Sequence, residues 1–345
     1  MSLKKVPVEE AVGMILPHDI TEIVPGKKKG PAFRKGHVIR PEDVEHLKRL
    51  GKEHIFCLEL EEGELHEDDA ALRLARAVAG PNILWDEDPK EGKVGFRAKV
   101  DGLFKVDVEG LYKMNLLGEV MLSTIHNNTV VRAGDQVAAG RAIPLIIKES
   151  IIDEVESIGE SRGGLISIAQ WKIKRGAIVI TGREVFEGRV KDAFGKRMAE
   201  KLSSLGIIVV STVLCPDEPE RIAQEIRAAI DRGAEMVLCT GGMSVDPDDV
   251  TRYGIRLAGG TDEVYGSPVL PGAMFLVSYI NDIPILGIPA CGMYFKVTVL
   301  DLILPRVVAG ERITREKIAA LGHGGLCLNC KSCKFPVCPF GKGGG

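Results

Sequence analysis

Residues 236–251 read Met236-Val237-Leu238-Cys239-Thr240-Gly241-Gly242-Met243-Ser244-Val245-Asp246-Pro247-Asp248-Asp249-Val250-Thr251. The opening Met236–Cys239 run is short and apolar, and a glycine pair follows it. A run of that length bounded by a turn signal fits a buried strand. The surrounding sequence repeats the theme. Ala177–Ile180 is a strand, and Phe194, Met198, Leu202 and Leu205 mark a helix face ended by Gly206. Ile207–Leu214 is a strand, Ile222, Ile226 and Ile230 mark a second helix ended by Gly233, and Ile283–Ile288 is a further strand. Strands alternating with helices predict an α/β domain over 169–315, with a parallel sheet between two helical layers.

Upstream the pattern changes. Residues 1–60 form an N-terminal segment: a helix over Glu42–Leu50 after Pro41 and before Gly51, a strand at Ile55–Leu58, and a solvated basic turn at Gly26-Lys27-Lys28-Lys29-Gly30. Residues 61–93 are an acidic connector and a helix, with Leu72, Ala75, Arg76 and Ala79 at helical spacing. Residues 94–168 read as β-rich. Leu103–Val108 alternates apolar and polar, Asn127-Asn128 and Ala133-Gly134-Asp135 supply turns, and Ala142–Ile147 is a buried strand with Pro144 forcing an edge or bulge. The expected fold is thus a parallel-sheet α/β domain preceded by a mixed, β-rich N-terminal region. A separate Gly- and Cys-rich module covers 321–345.

At 345 residues the chain is long for one domain, so two or three are expected. A net charge of -3 leaves no broad basic field for nucleic acid or an anionic membrane. No apolar run approaches the roughly 20 residues of a membrane span, and Met1–Glu10 has no signal-peptide apolar region. The expectation is a cytoplasmic protein with reduced thiols. Cys57, Cys215, Cys239 and Cys291 sit among apolar neighbours and read as small buried hydrophobes.

Ligands of open α/β sheets bind beyond the carboxyl ends of the strands. Three such ends carry small residues: Thr181-Gly182-Arg183-Glu184-Val185, Thr240–Ser244, and Pro289-Ala290-Cys291-Gly292. Backbone N–H groups at Gly241-Gly242 and the Ser244 hydroxyl suit phosphate oxygens, and the carboxylates at Asp246, Asp248 and Asp249 suit Mg²⁺. A simpler reading stays open on local chemistry alone: Gly-Gly is a common turn, and Asp248 is also a good helix N-cap.

Residues 177–251 resemble the molybdopterin-binding domain shared by molybdopterin adenylyltransferases, molybdenum insertases and competence-damage-type proteins. The resemblance rests on Thr181-Gly182-Arg183-Glu184 with Gly188 and Asp192, on Leu205-Gly206 and Pro216-Asp217-Glu218, and on Thr240–Ser244 with Asp248-Asp249-Val250-Thr251. Val8–Gly13 through His18–Thr21 resembles the opening segment of the insertase branch, and Val131–Asp135 through Ala142–Leu145 resembles its β-rich middle.

The resemblance implies that Asp249 holds a metal and positions the reacting phosphate, with Asp217 as a second carboxylate. It implies that Glu184 and Asp192 line the pterin side, and that Thr240, Gly241, Gly242, Met243 and Ser244 cradle the terminal phosphate. Thr181, Gly182, Asp248, Thr251 and Pro289 complete the set. The implied ligand is molybdopterin or its adenylate, with Mg²⁺, a molybdoenzyme client and a homo-oligomeric state. Arg183 stands where the family often has an acidic residue. Ala193-Phe194 replaces a polar pair, and Pro289-Ala290-Cys291-Gly292 replaces a Leu-Pro-Gly-Asn-Pro turn. Those departures keep two functions in view: an enzyme of molybdenum cofactor synthesis or insertion, and a non-catalytic carrier or redox and metal sensor. The N-terminal regions argue against a third, a pyridine-nucleotide amidohydrolase.

The last segment is spaced Cys327-x2-Cys330-x2-Cys333-x4-Cys338-Pro339. Four thiols so close together point to metal. The first two gaps and the final Cys-Pro resemble bacterial ferredoxin runs, which hold iron–sulfur clusters, but the last gap is one residue longer, and the second cysteine run of the two-cluster ferredoxins is absent. Two cysteine pairs also suit tetrahedral zinc, although the link between them is short. Both remain open, as do unliganded thiols. His323 reads as a solvated loop residue and Gly343–Gly345 as a flexible end.

Overall fold

The computed structural model describes residues 3–24, 28–243 and 250–343. The chain divides into two compact units: residues 1–100, 105–125 and 132–168 form the first, and 101–104, 126–131 and 169–345 the second.

In the first unit the strand Leu3–Pro7 pairs antiparallel with His54–Leu58, and Ile20–Val24 with Lys28–Phe33. The helix Pro41–Arg49 closes a core of Val6, Val8, Leu16, Phe33, Leu47 and Cys57. Lys28, Lys29 and Gly30 therefore lie in a strand and not in the expected turn, because the hairpin pairs them with Val24, Ile23 and Glu22. Gly26 and Lys27 lie outside the described residues. Beyond residue 60 comes an antiparallel sheet ordered Ile83–Trp85, Lys93–Ala98, Gln136–Ala142, Val120–Thr124. The helices Glu67–Val78 and Glu149–Glu160 pack together, tied by Arg73, which donates to Glu149 at 2.7 Å, Asp153 at 2.7 Å and Glu156 at 2.7 and 2.8 Å.

Two expectations for 94–168 need correction. The strand read as Leu103–Val108 stops at Val106, and Val108–Asn115 is a helix whose first turn is capped by Asp107, accepting from Gly110 at 2.9 Å. Pro144 separates two strands, Gln136–Ala142 and Ile146–Lys148, because it cannot donate to a ladder.

The second unit is the α/β domain. Its elements are β1 (Arg175–Thr181), α1 (Arg183–Phe186), α2 (Phe194–Ser204), β2 (Ile208–Cys215), α3 (Pro219–Asp231) and β3 (Val237–Thr240). Then follow α4 (Thr251–Leu257), β4 (Thr261–Tyr265), β5 (Leu276–Ile280), β6 (Ile283–Ile288), α5 (Cys291–Tyr294), α6 (Val299–Val308) and α7 (Arg315–Ala319). The six-stranded sheet runs β2-β1-β3-β6-β5-β4, parallel through its first four members. The two last strands are antiparallel, an extension the strand–helix alternation does not announce.

Period-2 patterning accounts for the three layers. Ile178 and Ile180 face a core shared with Met198, Leu202, Ile303 and Leu304, whereas Ala177 and Val179 face Ile222, Ile226 and Ile255. The cysteine-rich tail packs on the first of these cores. Leu321 and Phe340 are buried in it, and Cys327, Phe335 and Cys338 lie against it. Gly341 donates to the Gly324 carbonyl at 2.9 Å, so the chain is held up to that point.

Candidate strand-end site

Parallel register brings the ends of β1, β3 and β6 side by side: Ile180 stands opposite Thr240, and Thr240 opposite Ile288. Thr181, one residue further, donates its hydroxyl to the Thr240 carbonyl at 3.0 Å and lies 2.9 Å from the Thr251 hydroxyl. All three threonines are buried. The Thr240 hydroxyl is enclosed with no hydrogen-bond partner among the described residues. A buried group left so costs about 1–3 kcal/mol, and natural proteins keep few of them.

Gly241 and Gly242 follow at φ 88° and 53°. A side chain on Gly241 would begin 2.4 Å from the Thr181 carbonyl oxygen, and one on Gly242 2.6 Å from the Thr251 hydroxyl. Only glycine meets both the left-handed backbone and the close approach. Met243 turns inward and is buried, and its carbonyl accepts from the Tyr265 hydroxyl at 2.8 Å.

These loops open on a cavity of about 550 Å³. Gly241–Met243 form one wall, Leu270–Met274 another, and Pro289–Cys291 with Phe295 and Cys327 the rest. No charged side chain lines it among the described residues. The structure thus brings Gly241, Gly242, Met243 and Pro289 to one cavity, with Thr181, Thr240 and Thr251 buried behind the glycine pair. Ser244, Asp246, Asp248 and Asp249 lie outside the described residues.

The remaining candidates sit elsewhere on the strand-end side. Asp217 accepts the backbone N–H of Arg183 at 2.7 Å, which ties the β2 end to the start of α1. Glu184 is exposed, close to Gly182. Asp192 accepts from the N–H groups of Phe194 at 2.8 Å and Gly195 at 3.0 Å, and so caps the first turn of α2. Cys57, Cys215 and Cys239 are buried as expected, whereas Cys291 is half-buried in the cavity wall. Burial pushes the Cys215 thiol up to about 11 and raises Cys291 as well.

Leu270–Met274, Phe295 and Cys327 are wall residues that the strand-end rule alone does not find. Pro271-Gly272 reads only as a turn, and Cys327 only as part of the tail. The tail reaches the cavity because Gly325 and Cys327 bracket Leu270: Leu270 donates to the Gly325 carbonyl at 2.9 Å, and Cys327 donates to the Leu270 carbonyl at 2.8 Å.

The fold is an α/β sheet whose glycine-rich strand end opens on a cavity. Residues 177–309 match the family described as a probable molybdopterin binding domain, and residues 5–59 match a domain of unknown function. Among characterised sequences the chain is similar to the CinA-like protein of Mycobacterium avium, 38% identical over 77 residues, which is 22% of this chain and 18% of that protein. The CinA-like protein of Mycobacterium tuberculosis is 36% identical over the same extent. The chain therefore spans 18% of the length of these relatives. Among solved structures it is similar to the molybdopterin biosynthesis enzyme MoaB of Thermus thermophilus, with 24% identity, a TM-score of 0.34, and coverage of 40% of this chain and 98% of that one. CinA of Thermoplasma acidophilum gives 14%, 0.36, 39% and 98% in the same order.

Proposed function

We propose that the α/β unit binds molybdopterin in the strand-end cavity and performs Mg²⁺-dependent phosphoryl chemistry on it during synthesis or insertion of the molybdenum cofactor. The observation that carries this reading is the 550 Å³ cavity walled by Gly241–Met243 and Pro289–Cys291, within the stretch matched to the family. That volume falls in the range of small-molecule sites. Apolar walls suit a flat pterin, and the half-buried backbone at Gly241 and Gly242, on the cavity wall, suits its phosphate.

Asp217 and Asp249 are the carboxylates assigned to Mg²⁺. The ion supplies charge neutralisation at the transferring phosphate when bound. The chain's own part is to fix the phosphate with N–H groups that need no reorganisation. Incubation with molybdopterin, Mg²⁺ and ATP should yield adenylylated molybdopterin, and Asp249→Ala should abolish the transfer. Tight binding without AMP transfer by the native chain would reject the enzyme. It would favour the carrier or sensor reading, to which the short helix at Cys291–Tyr294, in place of the insertase turn, already lends some weight.

A further inference from the structure

The sequence leaves iron–sulfur and zinc open for the tail. The structure adds where the thiols stand. Cys327, Cys330, Cys333 and Cys338 are all free, and all four line a single cavity of about 270 Å³. Among the described residues no three His, Cys, Asp or Glu side chains are already set to hold a metal, as one ion or as a cluster. A cavity of about 270 Å³ ringed by four thiols has room for a core of several atoms.

The walls agree. Phe295, Val297 and Phe340 give the cavity an apolar side, and Lys296, Lys331 and Lys334 line it as well. Four thiolates around an iron–sulfur core make an anionic group overall, which nearby ammonium groups stabilise while apolar walls limit water.

Position adds the functional consequence. Cys327 and Phe295 belong to the walls of both this cavity and the strand-end cavity. The backbone bonds between Gly325–Cys327 and Leu270 hold Cys327 there. We propose that the four tail cysteines hold a [4Fe–4S] cluster, and that the shared Cys327 ligand couples it to the pterin in the neighbouring cavity. The coupling rests on the pterin reading of that cavity; the cluster does not.

The test uses the full chain, reconstituted without oxygen from ferrous iron and sulfide. It should bind about four irons and four labile sulfides per chain and give a paramagnetic signal on reduction. The double variant Cys330→Ser/Cys333→Ser should lose the cluster while its metal-free thermal unfolding stays that of the metal-free native chain, since both residues are exposed. One tightly held zinc per chain without labile sulfide would overturn the cluster, and so would iron binding that the double variant keeps. Molybdopterin should alter the paramagnetic spectrum of the reduced cluster. An unchanged spectrum in protein saturated with molybdopterin overturns the coupling alone. Failure to bind molybdopterin overturns the cavity reading and the coupling together, and leaves the cluster to stand on its iron and sulfide count.

Discussion

A carboxylate near a binding loop serves whatever its oxygens face, and Asp192 faces a helix. Its oxygens take the N–H groups of Phe194 and Gly195, donors that the first turn of α2 leaves without helical partners. Asp192→Ala should therefore cost about 1 kcal/mol of stability, measured by urea unfolding, and leave molybdopterin affinity within about twofold. A selective loss of affinity would instead assign Asp192 to the ligand. At this scale the sequence is legible in part. Gly241, Gly242 and Thr240 stand out because few residue types fit a tight turn at a strand end. The mutual contact of Thr181 and Thr251 does not, because it joins side chains 70 positions apart.

In the α/β unit β1, α2, β2, α3, β3 and β6 were legible because burial imposes simple periods on them. Strands buried on both faces read as apolar runs, and α2 and α3 show their buried residues at helical spacing. The helix Glu149–Glu160 carries the same signal in Ile152, Val155 and Gly159, and the strand-like runs before it obscure that spacing. Its tie to Glu67–Val78 through Arg73 makes a pH prediction. The Arg73 guanidinium, hydrogen-bonded to Glu156, holds that carboxyl below its usual value against the opposing effect of burial. A carboxyl depressed in the folded state contributes stability above its unfolded value of about 4.3, and loses it as the pH falls through the folded value. Arg73→Ala should lower the urea midpoint at neutral pH, and should also flatten the fall of that midpoint below about pH 4. An acid limb identical to that of the native chain would contradict this assignment.

Across the whole molecule, the cysteines report two environments. Burial pushes the Cys57 and Cys215 thiols up to about 11 and raises Cys239 further, while Cys330 and Cys333 are exposed. Thiolate is the reactive form. Iodoacetamide at neutral pH should thus label Cys330 and Cys333 in the metal-free native chain, and Cys57, Cys215 and Cys239 only after unfolding; mass mapping checks it. Labelling of Cys239 in the native state would mean that the sheet core opens readily. No helix among the described residues is long and apolar enough to cross a membrane. The strand–helix alternation from β1 to β3 was legible, but the place of the tail was not. Its docking depends on backbone bonds to Leu270, which no local pattern encodes.

The claim that the strand-end cavity is the pterin site is open to one direct measurement. Ala290 is exposed on the cavity wall, and Ala290→Trp would fill the space from its rim. Calorimetric titration of molybdopterin into the native chain and this variant should show binding at least tenfold weaker in the variant, a loss of about 1.4 kcal/mol, with thermal unfolding unchanged. Equal affinity in the two proteins, or no binding to the native chain, would contradict the account.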